Sequence, residues 1–265
     1  RSNPNLLDNW YFGRPVNQRG QTEYTAVGYT VDRWKLDIGE AVTLEDGCIC
    51  LKKSGTYLGE YFDDFNQFIG MTLTGSVLLS DGTLRTGSFV YNGSVNQGQT
   101  FFSSELGFYV QALSDSSTQC EINSNVDNVK IKAVKLELGS TQTLAHKEGD
   151  KWVLNEIPDF GEQLRRCQRY FVRLTNAYGY GWTYNSSIAN FFVSLPTTMR
   201  ANPVIKLTTN GEIQTINGAK SVTGFEAKGI HPNGFAIDLH NSANALITGT
   251  PVTWHSSSMD ISADL

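Results

Sequence analysis

The sequence predicts an all-β protein with two β domains joined by one short amphipathic helix. Short runs rich in Val, Ile, Tyr, Phe and Thr recur along the chain, and most are separated by turn residues rather than by segments with a helical period. The pairs Asp46-Gly47, Asp81-Gly82 and Asn92-Gly93 supply residues that tolerate positive φ in tight turns. Regularly spaced strands of this kind are typical of a β-sandwich or a jelly roll.

Residues 3–139 form the predicted first domain. Its clearest strand is the run Val129-Lys-Ile-Lys-Ala-Val-Lys-Leu-Glu-Leu138, in which apolar residues alternate with Lys and Glu. Because successive side chains of a strand point to opposite faces, this run has one face in the core and one in water. Residues 140–158 are polar, have little pattern beyond Trp152-Val-Leu154, and are predicted to be a linker.

The linker leads into a predicted amphipathic helix over residues 159–174. Asp159 can cap its first turn, and Glu162 follows at the spacing of a capping box. Its apolar residues are spaced 4, 3, 4, 3, which predicts an a/d seam for packing against copies of the helix: Phe160, Leu164, Cys167, Phe171 and Leu174. The alternative is a helix that lies on a sheet of its own chain.

Residues 175–265 return to short strands and form the predicted second, smaller β domain. Asn210-Gly211, Asn217-Gly218 and Asn233-Gly234 mark its hairpin turns. A domain of about 90 residues buries a limited core, so we expect this one to need partners to complete it.

Composition and charge exclude several classes of function. The 265 residues carry a net charge of -5 and no run of Lys or Arg, which argues against nucleic acid and anionic membranes as partners. No apolar run approaches 18 residues, so we expect no membrane insertion. The four cysteines lack metal-ligand spacing. Four scattered thiols are typical of a protein that is assembled in a reducing cytosol, and a disulfide from Cys48 or Cys50 to Cys120 is the alternative.

Catalytic motifs are few, and we expect a non-enzymatic protein. The four histidines stand in no metal-ligand spacing, no nucleophile elbow precedes a helix, and no Gly-rich phosphate loop is found. Asp63-Asp64 beside Glu60 resembles a pair of glycosidase carboxylates, but adjacent acids on a strand face opposite ways and are more often solvated. We predict no catalytic residue, no metal site and no cofactor.

The strongest binding signal is an aromatic residue at every second position of residues 178–184. Tyr178, Tyr180, Trp182 and Tyr184 would share one face of a strand, with Gly and Asn between or beside them. Flat rings flanked by amide and hydroxyl groups suit sugars, so these four are the predicted glycan-binding residues. The alternative is that they fill a core or a contact between subunits. Rings of the first domain are candidates too, with core positions more strongly expected: Trp10, Trp34, Tyr57, Tyr61 and Tyr91.

Four stretches of the sequence resemble two known families. The opening Asn5-Leu-Leu-Asp-Asn-Trp-Tyr-Phe12 is similar to the first strand of jelly-roll carbohydrate-binding modules. Three further strings are similar to tail-fibre and receptor-binding proteins of bacteriophages and prophages: residues 133–141, the helix motif Phe160-Gly-Glu-Gln-Leu-Arg-Arg-Cys-Gln-Arg-Tyr-Phe171, and Leu195-Pro-Thr-Thr-Met-Arg-Ala-Asn-Pro-Val204.

The resemblance implies an N-terminal jelly roll in a virion protein that attaches to bacterial surface polysaccharide. Such fibres are commonly homotrimers, so the implied partners are two further copies of the chain and other virion proteins. It also implies that calcium is possible near the opening strand, with Asp8, Asn9 and Asp127 as candidate ligands, although calcium is not predicted. Two other functions stay open: a structural component such as a head fibre or capsid decoration protein, and a glycan depolymerase.

Overall fold

The computed structural model describes residues 3–63, 65–96, 98 and 100–265, and these form two compact units. The N-terminal unit extends through Leu164 and includes Leu265, whereas the C-terminal unit comprises Arg165–Asp264. Both are built from antiparallel strands, so the prediction of a mostly β protein with one short helix is confirmed.

Fourteen strands lie in the N-terminal unit among the described residues. They are, in chain order, β1 (Glu23–Tyr24), β2 (Gly28–Tyr29), β3 (Trp34–Ile38), β4 (Val42–Glu45), β5 (Cys48–Leu51), β6 (Tyr57–Phe62), β7 (Thr72–Leu79), β8 (Leu84–Val90), β9 (Phe101–Phe102), β10 (Leu106–Ala112), β11 (Thr118–Ser124), β12 (Val129–Leu138), β13 (Ala145–Glu148) and β14 (Lys151–Leu154). A short 3₁₀ turn, Asn66–Phe68, precedes β7.

Twelve of these strands form two six-stranded sheets that pack as a sandwich. One sheet has the order β1-β4-β5-β12-β7-β8 and the other β2-β3-β6-β11-β10-β9. Alternate residues of each strand enter one shared core, which includes Leu36 and Ile122 from one sheet and Ile49 and Val77 from the other. Burial of apolar area of this kind is the main favourable term in folding.

The predicted linker contains a hairpin that belongs to the N-terminal unit. Strands β13 and β14 pair over residues 145–154 within the 140–158 segment. Leu144 and Ala145 join the buried core, Trp152 packs against that core, and the Trp152 N–H donates to the Gly82 carbonyl at 3.0 Å. The Trp152-Val-Leu154 pattern is therefore a strand rather than part of an unstructured connection.

The one α-helix of the described residues, α1, covers Phe160–Gln168. Its start is as predicted, because Asp159 Oδ1 accepts a hydrogen bond from the Glu162 N–H at 2.8 Å. Its predicted continuation to residue 174 is wrong, since the strand β15 begins at Phe171.

The reason for this early end is pairing with a distant strand. Phe171 lies opposite Ser262 and Leu174 opposite Met259, so both residues belong to a sheet and cannot extend a helical seam. Of the predicted seam, only Phe160, Leu164 and Cys167 lie on α1. Cys167 is fully buried, whereas the other two are partly exposed. Association between copies of the helix stays a prediction.

The C-terminal unit is one sheet of eight strands. They are β15 (Phe171–Thr183), β16 (Ile188–Ser194), β17 (Val204–Thr209), β18 (Glu212–Thr215), β19 (Gly218–Ser221), β20 (Gly224–His231), β21 (Gly234–His240) and β22 (Pro251–Ser262). The order is β19-β18-β22-β15-β16-β21-β20, and β17 also pairs with β22. One face carries the buried core, centred on Phe191, Phe235, Ile237 and Trp254.

Candidate binding site

The predicted aromatic residues lie along the outer face of β15 and just beyond its end. Tyr178, Tyr180, Trp182 and Tyr184, the aromatic row, have exposed fractions of 61%, 77%, 56% and 74%. Within β15 they alternate with less exposed residues that point towards the core, and Thr183 is fully buried. These rings therefore do not fill the core of this chain, and the expected shared face is present over residues 178–182.

Two glycines explain why the outer rings can alternate so regularly. Gly179 and Gly181 lie on the inner side of β15, over the rings of Phe191 and Trp254. Those two rings pack with their centroids 5.7 Å apart. A Cβ at Gly181 would lie 2.4 Å from the Phe191 ring, so the inner position must lack a side chain. The inner ring of Phe191 thus requires glycine at position 181, and the outer rings of Tyr180 and Trp182 occupy the positions on either side of it.

Neighbouring strands add small and polar groups beside the row. Trp182 lies opposite Asn190 of β16 on one side and Pro251 of β22 on the other. Tyr180 lies opposite Thr253 of β22. Phe192, two residues after Asn190 and on the same face, is 69% exposed. The resulting surface combines exposed rings with amide and hydroxyl groups.

The rings of Tyr178 and Tyr180 are nearly perpendicular, with centroids 5.4 Å apart. A hydrogen bond with Tyr180 raises the pKa of Tyr178. The Tyr178 phenol therefore stays neutral at ordinary pH, and a phenol hydroxyl can both donate and accept a hydrogen bond to a ligand.

A charged group borders the row on the β16–β21–β20 side. Asn190 Nδ2 donates to Asp238 Oδ1 at 2.7 Å, and Lys228 donates to the other carboxylate oxygen. Glu226 also pairs with Lys228, at 3.2 Å. Burial alone would raise the pKa of Asp238, but the hydrogen bonds from Lys228 and Asn190 outweigh it and lower the pKa. The lysine is thus already paired with two carboxylates and provides no site for an anion.

A second polar cluster, on the outer face of the sheet β2-β3-β6-β11-β10-β9, was missed by the sequence analysis. Gln119 Nε2 donates to Glu121 at 2.6 Å and to the Tyr61 hydroxyl at 2.8 Å, and the Tyr61 hydroxyl donates to Asp37 at 2.5 Å. Burial and the neighbouring charge of Asp37 raise the pKa of Glu121 to about 8. The available signal was the alternation of polar residues at positions 119, 121 and 123.

Aromatic residues of the N-terminal unit are mostly core, as expected. Trp10, Trp34, Tyr61 and Tyr91 are buried, and Tyr57 is partly buried.

The candidate calcium ligands hold other partners. Asp8 pairs with the buried Arg33 at 3.2 Å, and the Asn9 amide bridges the Val16 backbone. Asp127 instead accepts hydrogen bonds from Lys53 and from the Ser54 N–H. Among the described residues no group of three or more His, Cys, Asp or Glu could hold a metal ion.

Of the carboxylates weighed as catalytic groups, Glu60 is held by other groups of the N-terminal unit. Glu60 is fully buried, where it accepts the Asp8 N–H and lies 3.2 Å from the Arg33 guanidinium. Asp64 lies outside the described residues. The cysteines are all free and buried, so the bridge to Cys120 that the sequence left open is not formed.

No family model matches the chain, and neither does any curated protein or solved structure. Across the described part of the chain, no helix combines the length and the apolar character needed to cross a membrane.

Proposed function

We propose that this chain is a non-enzymatic component of a bacteriophage fibre that adheres to bacterial surface glycan. One observation carries the proposal: the aromatic row presents three exposed rings on one face of β15 and a fourth just beyond its end, with an amide and a hydroxyl-bearing residue opposite two of them. Exposed apolar area costs free energy in water, and a contiguous patch of it marks an interaction surface. The C–H faces of sugars stack on such rings while their hydroxyls bond to the flanking polar groups.

The proposal includes an N-terminal jelly roll, a homotrimeric assembly and a place in the virion. Phe160 and Leu164 support self-association because they stay partly exposed on α1. A shallow site that binds at about 1 mM contributes only about 4 kcal/mol. Linking several sites raises the overall affinity by about 10²–10⁴ when they engage one surface together, so three copies would turn weak contacts into firm attachment.

The adhesion experiment compares two variants in which one exposed side chain is shortened. Trp182→Ala removes the largest ring of the row, and Ile216→Ala, at a 75% exposed position in a hairpin turn, is the matched control. We expect Trp182→Ala to abolish adsorption to host cells and to purified surface polysaccharide, with an unchanged circular dichroism spectrum and melting temperature. Ile216→Ala should adsorb like the wild type. Unchanged adsorption of Trp182→Ala contradicts the assignment.

Two further readouts address the assembly and the alternatives. Light scattering during gel filtration should give about three times the 29.3 kDa of one chain, and a clean monomer contradicts the trimer. Release of reducing ends from the polysaccharide would identify a depolymerase instead. Firm attachment to capsids without adsorption to any host fraction would identify a structural virion protein.

A further inference from the structure

A polar cavity of about 250 Å³, the end pocket, lies in the C-terminal unit where the aromatic row ends. Its lining residues are Ser187, Ile188, Thr223, Gly224, His240, Asn241 and Ser242. Ile188 lies opposite His240, and His240 lies opposite Gly224, so the pocket spans the ends of three adjacent strands. The Tyr184 N–H donates to the Ile188 carbonyl at 2.8 Å. The backbone of Tyr184, the last residue of the row, is therefore hydrogen-bonded to a residue that lines the pocket.

The face of the sheet is continuous from the row to the pocket. Asn190 and Asp238 lie opposite each other, as do Ile188 and His240 two positions further along the same strands. Residues two positions apart in a strand point to the same side. His240 is therefore on the face that carries Trp182 and Asn190, and a ligand on that face can reach both places.

Backbone hydrogen bonds hold the walls of the pocket in place. The Thr223 N–H donates to the His240 carbonyl at 2.8 Å, and the Ser242 N–H donates to Thr223 Oγ1 at 3.0 Å. Both polar atoms of the Asn241 side chain are hydrogen-bonded. Its Nδ2 donates to the Ser221 carbonyl, and its Oδ1 accepts a hydrogen bond from the Ala245 N–H. A pocket that is already formed loses little conformational entropy when a ligand enters.

The lining carries hydroxyl, amide and imidazole groups but no acidic or basic side chain other than the histidine. Asp238 lies two residues before His240 on the same face, and its carboxylate is already paired with Lys228 and Asn190. An anionic ligand would thus find no arginine or lysine in the lining to pair with. The chemistry of this pocket fits a neutral molecule with many hydroxyl groups.

The volume of the cavity favours a ligand the size of one sugar ring, and the imidazole in its wall favours one with hydroxyl groups. Pockets for drug-sized molecules measure about 300–1,000 Å³, so this cavity is suited to a single sugar unit rather than to an oligomer. His240 lines this cavity, and its Nδ1 lies on the side of Gly224, 3.9 Å from the place of a Cβ at that position. A ring nitrogen in a pocket wall can form a hydrogen bond with a ligand hydroxyl.

We propose that the end pocket binds one neutral monosaccharide unit at the end or on a branch of the glycan. The next sugar units would then lie across Tyr184 and Trp182. This inference rests on the proposed function for the identity of the polymer, but the pocket itself is testable with monosaccharides alone. It gives the surface a preference for neutral sugars over uronic or sialic acids.

The test uses a variant that fills the pocket and leaves the aromatic row intact. A Cβ at Gly224 would lie 3.9 Å from the His240 ring, an ordinary contact, so Gly224→Val adds volume inside the cavity. His240→Leu is the second variant, since it removes the imidazole nitrogens without adding bulk. Probes are galactose, glucose and N-acetylglucosamine, with glucuronic acid as the anionic comparison. Binding to the full chain is measured by saturation-transfer NMR and titration.

We expect at least one neutral monosaccharide to bind the wild type and Trp182→Ala alike. Gly224→Val should weaken that binding by about tenfold or more, and His240→Leu by about tenfold. Glucuronic acid should bind more weakly than the neutral sugars. Absence of monosaccharide binding, equal binding to Gly224→Val, or stronger binding of glucuronic acid overturns the proposal.

The two proposals fail in different ways. If polysaccharide binding depends on Trp182 but is insensitive to both pocket variants, the end pocket is wrong and the adhesion surface stands. If a neutral monosaccharide binds in the pocket but cells and polysaccharide do not, the pocket stands and the proposed function fails.

Discussion

Gly181 lies against the ring of Phe191 so closely that a Cβ at position 181 would be 2.4 Å from Phe191 Cδ1 and 2.3 Å from the Asn190 carbonyl oxygen. Gly179, two residues earlier on the same inner side of β15, has more room, because its Cβ would meet the Trp254 ring at 3.8 Å. A Cβ thus has no room at position 181 but has room at position 179, although the two glycines look equivalent in the sequence.

We therefore expect Gly181→Ala to destabilise the C-terminal unit and Gly179→Ala to be tolerated. Overpacking a well-packed site costs about 1–3 kcal/mol, whereas an alanine in open contact costs little. Thermal unfolding followed by circular dichroism measures the difference, which should amount to several degrees in melting temperature. Equal melting temperatures for the two variants would show that Phe191 moves aside at no cost.

The stability of the N-terminal unit should decrease as pH rises from about 4 to 8. The pKa of Glu121 is raised to about 8 by burial and by Asp37, whereas an unfolded glutamate titrates near about 4.3. Because the folded state holds the extra proton across this window, the free energy of unfolding falls until pH exceeds the folded pKa.

Glu121→Gln should remove this pH dependence, since a glutamine side chain can replace the protonated carboxyl. It can accept the hydrogen bond from Gln119 and donate one to Asp37. We expect a higher melting temperature than the wild type at pH 9 and a similar one at pH 5. Glu156→Gln, at an exposed position, is the control and should change neither. A Glu121→Gln curve parallel to that of the wild type would contradict the raised pKa.

The Arg85–Glu105 pair should stabilise the sandwich at neutral pH and lose its effect in acid. Arg85 donates two hydrogen bonds to the Glu105 carboxylate, at 2.9 and 2.6 Å, and these lower the pKa of Glu105 to about 2. The stabilisation is complete above the unfolded pKa and disappears as pH falls through the folded pKa.

Because about a third of the Arg85 side chain is exposed, solvent screens the pair, and we expect it to contribute about 1 kcal/mol or less. Urea unfolding of Arg85→Met, Glu105→Gln and the double variant gives the coupling energy. The coupling should be measurable at pH 7 and absent near pH 2. Equal coupling at both pH values would exclude the pair as its source.

All four thiols should resist modification in the folded protein. Cys48, Cys50, Cys120 and Cys167 are buried, and burial together with a hydrogen bond to Glu45 raises the pKa of Cys50 to about 11. Thiolate is the reactive form, so little of it is present at pH 8. A disulfide reagent should label none quickly in buffer and four in denaturant, while Ile216→Cys should add one rapidly labelled thiol. Fast labelling of the native wild type would show that one of these sites opens.

The start of α1 and the spacing of the aromatic row could be predicted because both depend on local patterns. Asp159 caps a neighbouring turn, and alternate rings in a strand share a face whatever their partners are. The end of α1 could not be predicted in this way. Phe171 and Leu174 continue the helical spacing, and only their pairing with β22 places them in a strand.

The cluster around Glu121 is non-local for the same reason. Asp37 and Gln119 are 82 residues apart and meet only because β3, β6 and β11 are adjacent in the sheet. Glu60 resembled an exposed acid in the sequence but points into the core, where the Arg33 guanidinium balances its charge. Strand register decides both cases, and a single sequence does not encode register in its local pattern.

The order of strands in the C-terminal sheet has a consequence for how this unit is made in the cell. β15 is the first strand of the unit and pairs with β22, the last; the Arg173–Asp260 ion pair that joins them links residues 87 positions apart. At about 5–20 residues per second, a ribosome needs roughly 4 to 17 s to travel that distance. During that interval Tyr178, Tyr180 and Trp182 belong to a strand whose partner β22 does not yet exist, so one edge of β15 is unpaired. The nascent chain would therefore be most vulnerable to aggregation before synthesis of β22 is complete.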